Sequence, residues 1–177
     1  MTSMMDCSKG LLSDRVYTSF RLKDAIEVFQ DYKKSALLFS TCYCDWKCCT
    51  ELNMDVSVCQ NSKISMQREV NLPFHRILDM VRNSITDAVI FGGLEPFLQA
   101  DELVQCIRYL RDKGVKKDIV IYTGYYIEEI STETLLFLSL NQVILKCGRY
   151  IPNRPSKYDE VLGITLASDN QYGVYLA

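Results

Sequence analysis

No apolar run in this chain approaches the roughly 18 residues that would span a bilayer; the longest are short blocks such as residues 36–39 and 135–138. That absence argues against a membrane protein. Surplus positive charge is missing too. Twenty Lys and Arg stand against 22 Asp and Glu, for a net charge of −2. There is no basic field to hold a phosphate backbone, which argues against nucleic acid as a partner. Ser/Gly linkers, low-complexity segments and internal repeats are lacking, and 177 residues suffice for one core but not two. Residues 1–13 have no basic region, apolar region or small-residue cleavage site of a secretory signal. They are read as a flexible N-terminus ahead of a single domain over residues 14–177, in the cytoplasm.

What is present is a globular composition, 48% apolar and 24% charged, with strand-like and helix-period blocks in alternation. Strands are predicted at residues 36–40, 87–91, 118–122, 142–145, 163–167 and 173–176. Pro73 opens a helix to about Asn83, and Pro96 and Asp101 lead into a second. In that helix Leu103, Cys106, Ile107 and Leu110 keep the 3.6-residue period and stop before Gly114. A third runs from Ser131-Thr132 to Leu140. Strands separated by single helices predict an α/β fold with a parallel sheet. The chain is too short for a complete eight-fold barrel of about 200 to 250 residues, so a partial (β/α) barrel, open on one side, is expected. Its site should lie at the carboxyl ends of the strands, where the cysteines, Gly92-Gly93 and Thr123-Gly124 all fall.

Of eight cysteines, five crowd into one segment: Cys42, Cys44, Cys48, Cys49 and Cys59. A disulfide framework would spread along the chain, so these read as metal ligands or redox groups. Cys7, Cys106 and Cys147 are isolated and read as buried apolar residues. Cys44 and Cys48 have three residues between them, and Cys59 follows after ten more. Three soft thiolates on a [4Fe-4S] cluster leave one iron with an open position. Stretching the second gap from two residues to ten costs about 1.4 kcal/mol of closure entropy, against ~10 kcal/mol or more from forming a metal site. Cys49, which as the neighbour of Cys48 should point elsewhere, and Cys42 compete as third ligand. A small zinc knuckle is the alternative, although the lone His75, on a predicted helix beside Phe74, is a poor fourth ligand.

The loop resembles that of the radical S-adenosylmethionine enzymes, C-x3-C-x2-C followed closely by Asn, with Glu51 where the third cysteine would stand and the loop expanded so that Cys59 takes that part. Val58 and Gln60-Asn61 match the residues flanking the last cysteine. Phe91-Gly92-Gly93-Leu94-Glu95-Pro96 resembles the G-G-E-P motif that holds the methionine amino group, with Leu94 inserted. Ile121-Tyr122-Thr123-Gly124-Tyr125, Gly148-Arg149-Tyr150 and Ser168-Asp169-Asn170-Gln171 resemble segments of the activating proteins of anaerobic ribonucleoside-triphosphate reductase, where Cys147 replaces a frequent Asp.

The resemblance implies a [4Fe-4S] cluster on Cys44, Cys48 and Cys59. It places S-adenosylmethionine against Val58, Gln60, Asn61, Gly92, Gly93, Glu95 and Thr123. It further implies reductive cleavage to a 5′-deoxyadenosyl radical that abstracts hydrogen from a glycine of the reductase, with flavodoxin or ferredoxin as electron donor. An activator of another glycyl-radical enzyme, a radical enzyme acting on a small molecule, and a non-catalytic zinc or iron-sulfur module are the alternatives.

Overall fold

The computed structural model describes residues 14–176; the predicted flexible N-terminus, and Cys7 with it, lies outside the described residues. The elements are β1 (Ser19–Leu22), β2 (Asp24–Val28), β3 (Ala36–Ser40), α1 (Lys47–Thr50), α2 (Ser62–Ser65), β4 (Val70–Pro73), α3 (Phe74–Asn83) and β5 (Ala88–Gly92). After them come α4 (Ala100–Asp112), β6 (Asp118–Tyr122), α5 (Thr132–Leu140), β7 (Val143–Cys147), β8 (Lys157–Asp159), β9 (Ile164–Leu166) and β10 (Tyr172–Tyr175).

Alternation along β5 sends Val89 and Phe91 to one face and Ala88 and Ile90 to the other, and all five residues of the strand are buried. Burial on both faces is what a central parallel strand requires. β3, β5, β6 and β7 pair in parallel in that order. Because the order never reverses, same-handed crossovers place the helices on one face. There Ile77, Leu78 and Val81 of α3, Leu103, Ile107 and Leu110 of α4 and Leu138 of α5 pack on Phe39, Phe91, Ile121 and Leu145. The opposite face carries Ala36, Ala88, Ile90, Val120 and Ile144 and is covered by Tyr32, Leu162 and Leu166. No helix of the described residues is long and apolar enough to cross a membrane.

The sheet is mixed where a parallel one is expected from the sequence. β2 adds antiparallel to β3 at one edge and β10 antiparallel to β7 at the other. β2 joins β3 through residues 29–35 with no helix, and a connection that short can only return a strand antiparallel. The expected strand at residues 163–167 is real but stands outside this sheet, as β9 paired with β8. Pro73 lies one residue before the helix it opens, with extended backbone, and ends β4 opposite Ser19. Ser131 caps α5 by accepting from the Thr134 N–H, as its place in the sequence predicts.

Candidate metal centre

Past Ser40 the chain crosses the carboxyl end of the sheet. The Thr41 N–H and hydroxyl both donate to the Gly92 carbonyl, at 2.8 and 3.1 Å, and the Cys42 N–H donates to Gln99 Oε1 at 2.7 Å. The root of the cysteine loop is thereby tied to the next βα unit. Trp46 takes a left-handed φ of 59°, which turns the chain sharply into the single-turn helix α1. Tyr125 donates its hydroxyl to Asp45 Oδ2 at 2.7 Å, and Lys47 Nζ sits 4.2 Å from the centre of the Tyr125 ring.

Cys44, Cys48 and Cys59 all line one cavity of about 470 Å³, together with Gly93, Glu95 and Lys146. The Cys59 thiol is held below its ordinary range because it accepts from the Cys48 thiol and from the backbone N–H groups of Asn61 and Ser62, which outweighs burial. The Cys48 thiol, donating in that pair, is pushed up. Burial raises Cys44 to about 11. Cys49 does not point elsewhere, as its place beside Cys48 led us to expect. It is buried on the cavity wall with its sulfur 3.9 Å from that of Cys48. Cys42, Cys106 and Cys147 are buried and do not line the cavity.

No three His, Cys, Asp or Glu side chains among the described residues converge as ligands of a single metal ion would. On a four-iron cube each thiolate binds a different iron, so the sulfurs stand apart from one another instead of around one centre. Provided that the Cys48–Cys59 hydrogen bond opens to admit the cluster, three thiols lining one cavity suit that arrangement. A tetrahedral Cys/His site does not, since His75 is exposed on α3 and lies outside the cavity.

Gly93 has φ of +79°, and a Cβ there would lie 3.0 Å from Ser40 Cβ and Oγ. The glycine is thus required by its own backbone and by β3, in addition to any ligand. Its neighbour is equally constrained: a Cβ on Gly92 would meet Tyr122 Cβ at 2.9 Å. Glu95 is 4% exposed. Its Oε1 accepts from Thr123 Oγ1 at 2.7 Å and the Phe97 N–H at 3.1 Å, and Oε2 from the Gly124 N–H at 3.0 Å. Burial outweighs these donors and raises the carboxyl to about 7. Thr123 thus positions Glu95 and also lines the cavity itself. Val58, Gln60 and Asn61 line the cavity from its exposed side.

The lesser motifs meet in space. The Gly148 N–H donates to the Tyr125 carbonyl at 2.9 Å, Asn170 Nδ2 donates to Tyr126 and to the Arg149 carbonyl at 3.0 and 2.8 Å, and Gln171 Nε2 reaches the Gly148 carbonyl at 3.3 Å. Lys146 escaped the sequence reading. Burial lowers its ammonium to about 8. The signal was there, a lone charge inside the apolar strand Val143–Cys147.

The sequence profile described as a 4Fe-4S single cluster domain matches residues 33–171, from just before β3 to the start of β10. A protein of Methanocaldococcus jannaschii, described as a candidate glycyl-radical enzyme activating enzyme, is 29% identical over 62 residues. The match covers 35% of this chain and 26% of that protein, so the chain spans about a quarter of that relative's length. No solved structure matches.

Proposed function

The chain belongs to the 4Fe-4S single cluster domain family, and on that premise we propose that it is a radical S-adenosylmethionine activase acting on a glycine of a partner enzyme. One observation carries the reading: three thiols and the buried carboxylate Glu95 share a single cavity at the carboxyl ends of parallel strands. Cys44, Cys48 and Cys59 would hold the cluster. When bound, the reduced cluster and S-adenosylmethionine supply one-electron cleavage of the sulfonium to methionine and a 5′-deoxyadenosyl radical, which takes the hydrogen.

The chain's own residues bind and orient. Glu95 has three of its about four acceptor positions filled, which fixes its plane and leaves room for one ammonium hydrogen. The Lys146 ammonium, on the same cavity, is suited to a carboxylate. A glycine on a flexible loop can approach a radical closely because no side chain intervenes. The anaerobic ribonucleoside-triphosphate reductase is the partner we infer, from the Tyr122–Tyr125, Gly148–Tyr150 and Ser168–Gln171 segments.

The test is anaerobic reconstitution with iron and sulfide, reduction, and addition of S-adenosylmethionine with the cognate reductase. Methionine release and a persistent doublet in the electron paramagnetic resonance spectrum are expected, the doublet vanishing when the target glycine is alanine. Zinc uptake without cleavage, or a doublet that survives the substitution, sinks the proposal.

Glu95 also yields a pH prediction. Its folded value of about 7 exceeds the ordinary carboxylate value, so the folded chain binds this proton more tightly than the unfolded one. Stability conferred by the carboxyl is full below the ordinary range and is lost as pH rises through about 7. An ammonium ligand needs the ionised form. Affinity for S-adenosylmethionine should thus climb ~10-fold per pH unit below that value, and Glu95→Gln should flatten both profiles, read by urea unfolding and by ligand titration.

A further inference from the structure

We propose that Glu51, Arg149 and Glu129 form a clamp that positions α1, and with it Cys48, against the ends of β6 and β7, so that Glu51 is an anchor of the cysteine loop and not a ligand. The proposal rests on the cluster reading above. Arg149 is the hub, its side chain only 6% exposed. Nη1 and Nη2 meet both oxygens of Glu129 at 2.6 and 2.7 Å. Nη2 donates to Glu51 Oε1 at 2.8 Å, and Nε lies 2.7 Å from Oε2 as an ion pair without a hydrogen bond. The guanidinium also reaches the Gly124 carbonyl at 3.3 Å and lies 5.1 Å from the Tyr126 ring centre.

Forked pairing of this kind fixes direction as well as distance. Glu129 serves twice, because Lys47 Nζ lies 3.2 Å from its Oε1. Lys47 and Glu51 stand at the two ends of α1, so one carboxylate and one guanidinium hold both ends of the turn that carries Cys48. Glu51 occupies the place where the resembled loop has its third cysteine, which would tether that end through the metal. Here ten residues separate Cys48 from Cys59, and metal ligation at Cys59 cannot restrain α1 so directly. The ion pair supplies the missing tether. Glu51 is paired with Arg149 and does not line the cavity that the three thiols share.

Hydrogen exchange on the cluster-free protein reads the clamp alone. Glu51→Ala should speed exchange of residues 44–51 by ~10-fold or more, with Glu51→Gln intermediate; wild-type protection in Glu51→Ala overturns the proposal. After anaerobic reconstitution, Glu51→Ala should keep wild-type iron and sulfide, yet bind S-adenosylmethionine ~10-fold more weakly when titrated against the reduced cluster's resonance signal. Iron loss matching Cys59→Ala would make Glu51 a ligand and overturn the assignment, as would unchanged cofactor affinity. Arg149→Lys breaks the fork while keeping the charge, and adding Glu51→Ala to it should weaken binding no further; additive losses count against a shared clamp. Should the wild-type protein take up no cluster, the cluster reading fails while the exchange experiment still decides the clamp.

Discussion

Cys59→Ala should take the reconstituted protein from about four irons per chain to almost none, measured by iron and sulfide analysis and by loss of the cluster's visible absorbance. On the proposed assignment each of three thiolates would carry one iron, so the loss of one would leave the cube held at only two corners. Cys59 is brought to the cavity by the 3-10 turn Val56–Val58, whose cap Asp55 accepts from the Ser57 N–H at 2.8 Å. The Cys59 N–H then donates to the Val56 carbonyl at 3.0 Å. Cys44→Ala and Cys48→Ala should behave alike. The decisive control is Cys49→Ala, because Cys49 shares the cavity wall. It is 1% exposed and packed in the interior, so its loss should leave most of the iron. A Cys49 variant without iron beside a Cys59 variant with it would reverse the ligand assignment.

Gly93→Val should cost about 2–5 kcal/mol of stability, before any effect on a cofactor. A β-branched residue at φ of +79° is strained by about 1–2 kcal/mol. The new Cβ would also press on Ser40 at 3.0 Å, within the parallel pair of β3 and β5, where overpacking adds about 1–3 kcal/mol. A thermal midpoint lowered by roughly 4–20 °C is expected. An unchanged midpoint would mean that the loop relaxes freely, and Gly93 would then owe its place to a ligand alone.

The four parallel strands were legible because residues buried on both faces give unbroken apolar runs, as in Ala88–Gly92 and Asp118–Tyr122. The edge strand β2, Asp-Ala-Ile-Glu-Val, was not, since exposure of Ile26 and Glu27 removes the apolar pattern that marks a strand. β8, with Lys157 and Tyr158 exposed, was hidden for the same reason. At the site, spacing singled out Cys44 and Cys48, the family resemblance added Cys59, all three reach one cavity, and the glycine pair announced a strand end. The Glu51–Arg149 pair spans 98 positions, and nothing local in either segment signals the other. Lys146 was overlooked because attention to alternation treats a charge in a buried strand as an interruption, when it is the interruption that matters.

Among the described residues the β8–β9 hairpin pairs with no other strand, yet Ile164, Thr165 and Leu166 form part of the cavity wall. It is moored by Asp159, which accepts from the Leu162 and Gly173 N–H groups at 2.9 and 2.8 Å, and by Lys33 against Gly163. The sulfurs hang from the loop after β3, α1 and the turn before Cys59, segments that share no backbone hydrogen bond with the hairpin among the described residues. The cavity wall is therefore assembled from two parts with no backbone hydrogen bond between them among the described residues, one carrying the thiols and one not. Exchanging the hairpin should thus change the size of the cavity beside the thiols while leaving their backbone in place, a way to alter what the cavity admits without altering the cysteine loop.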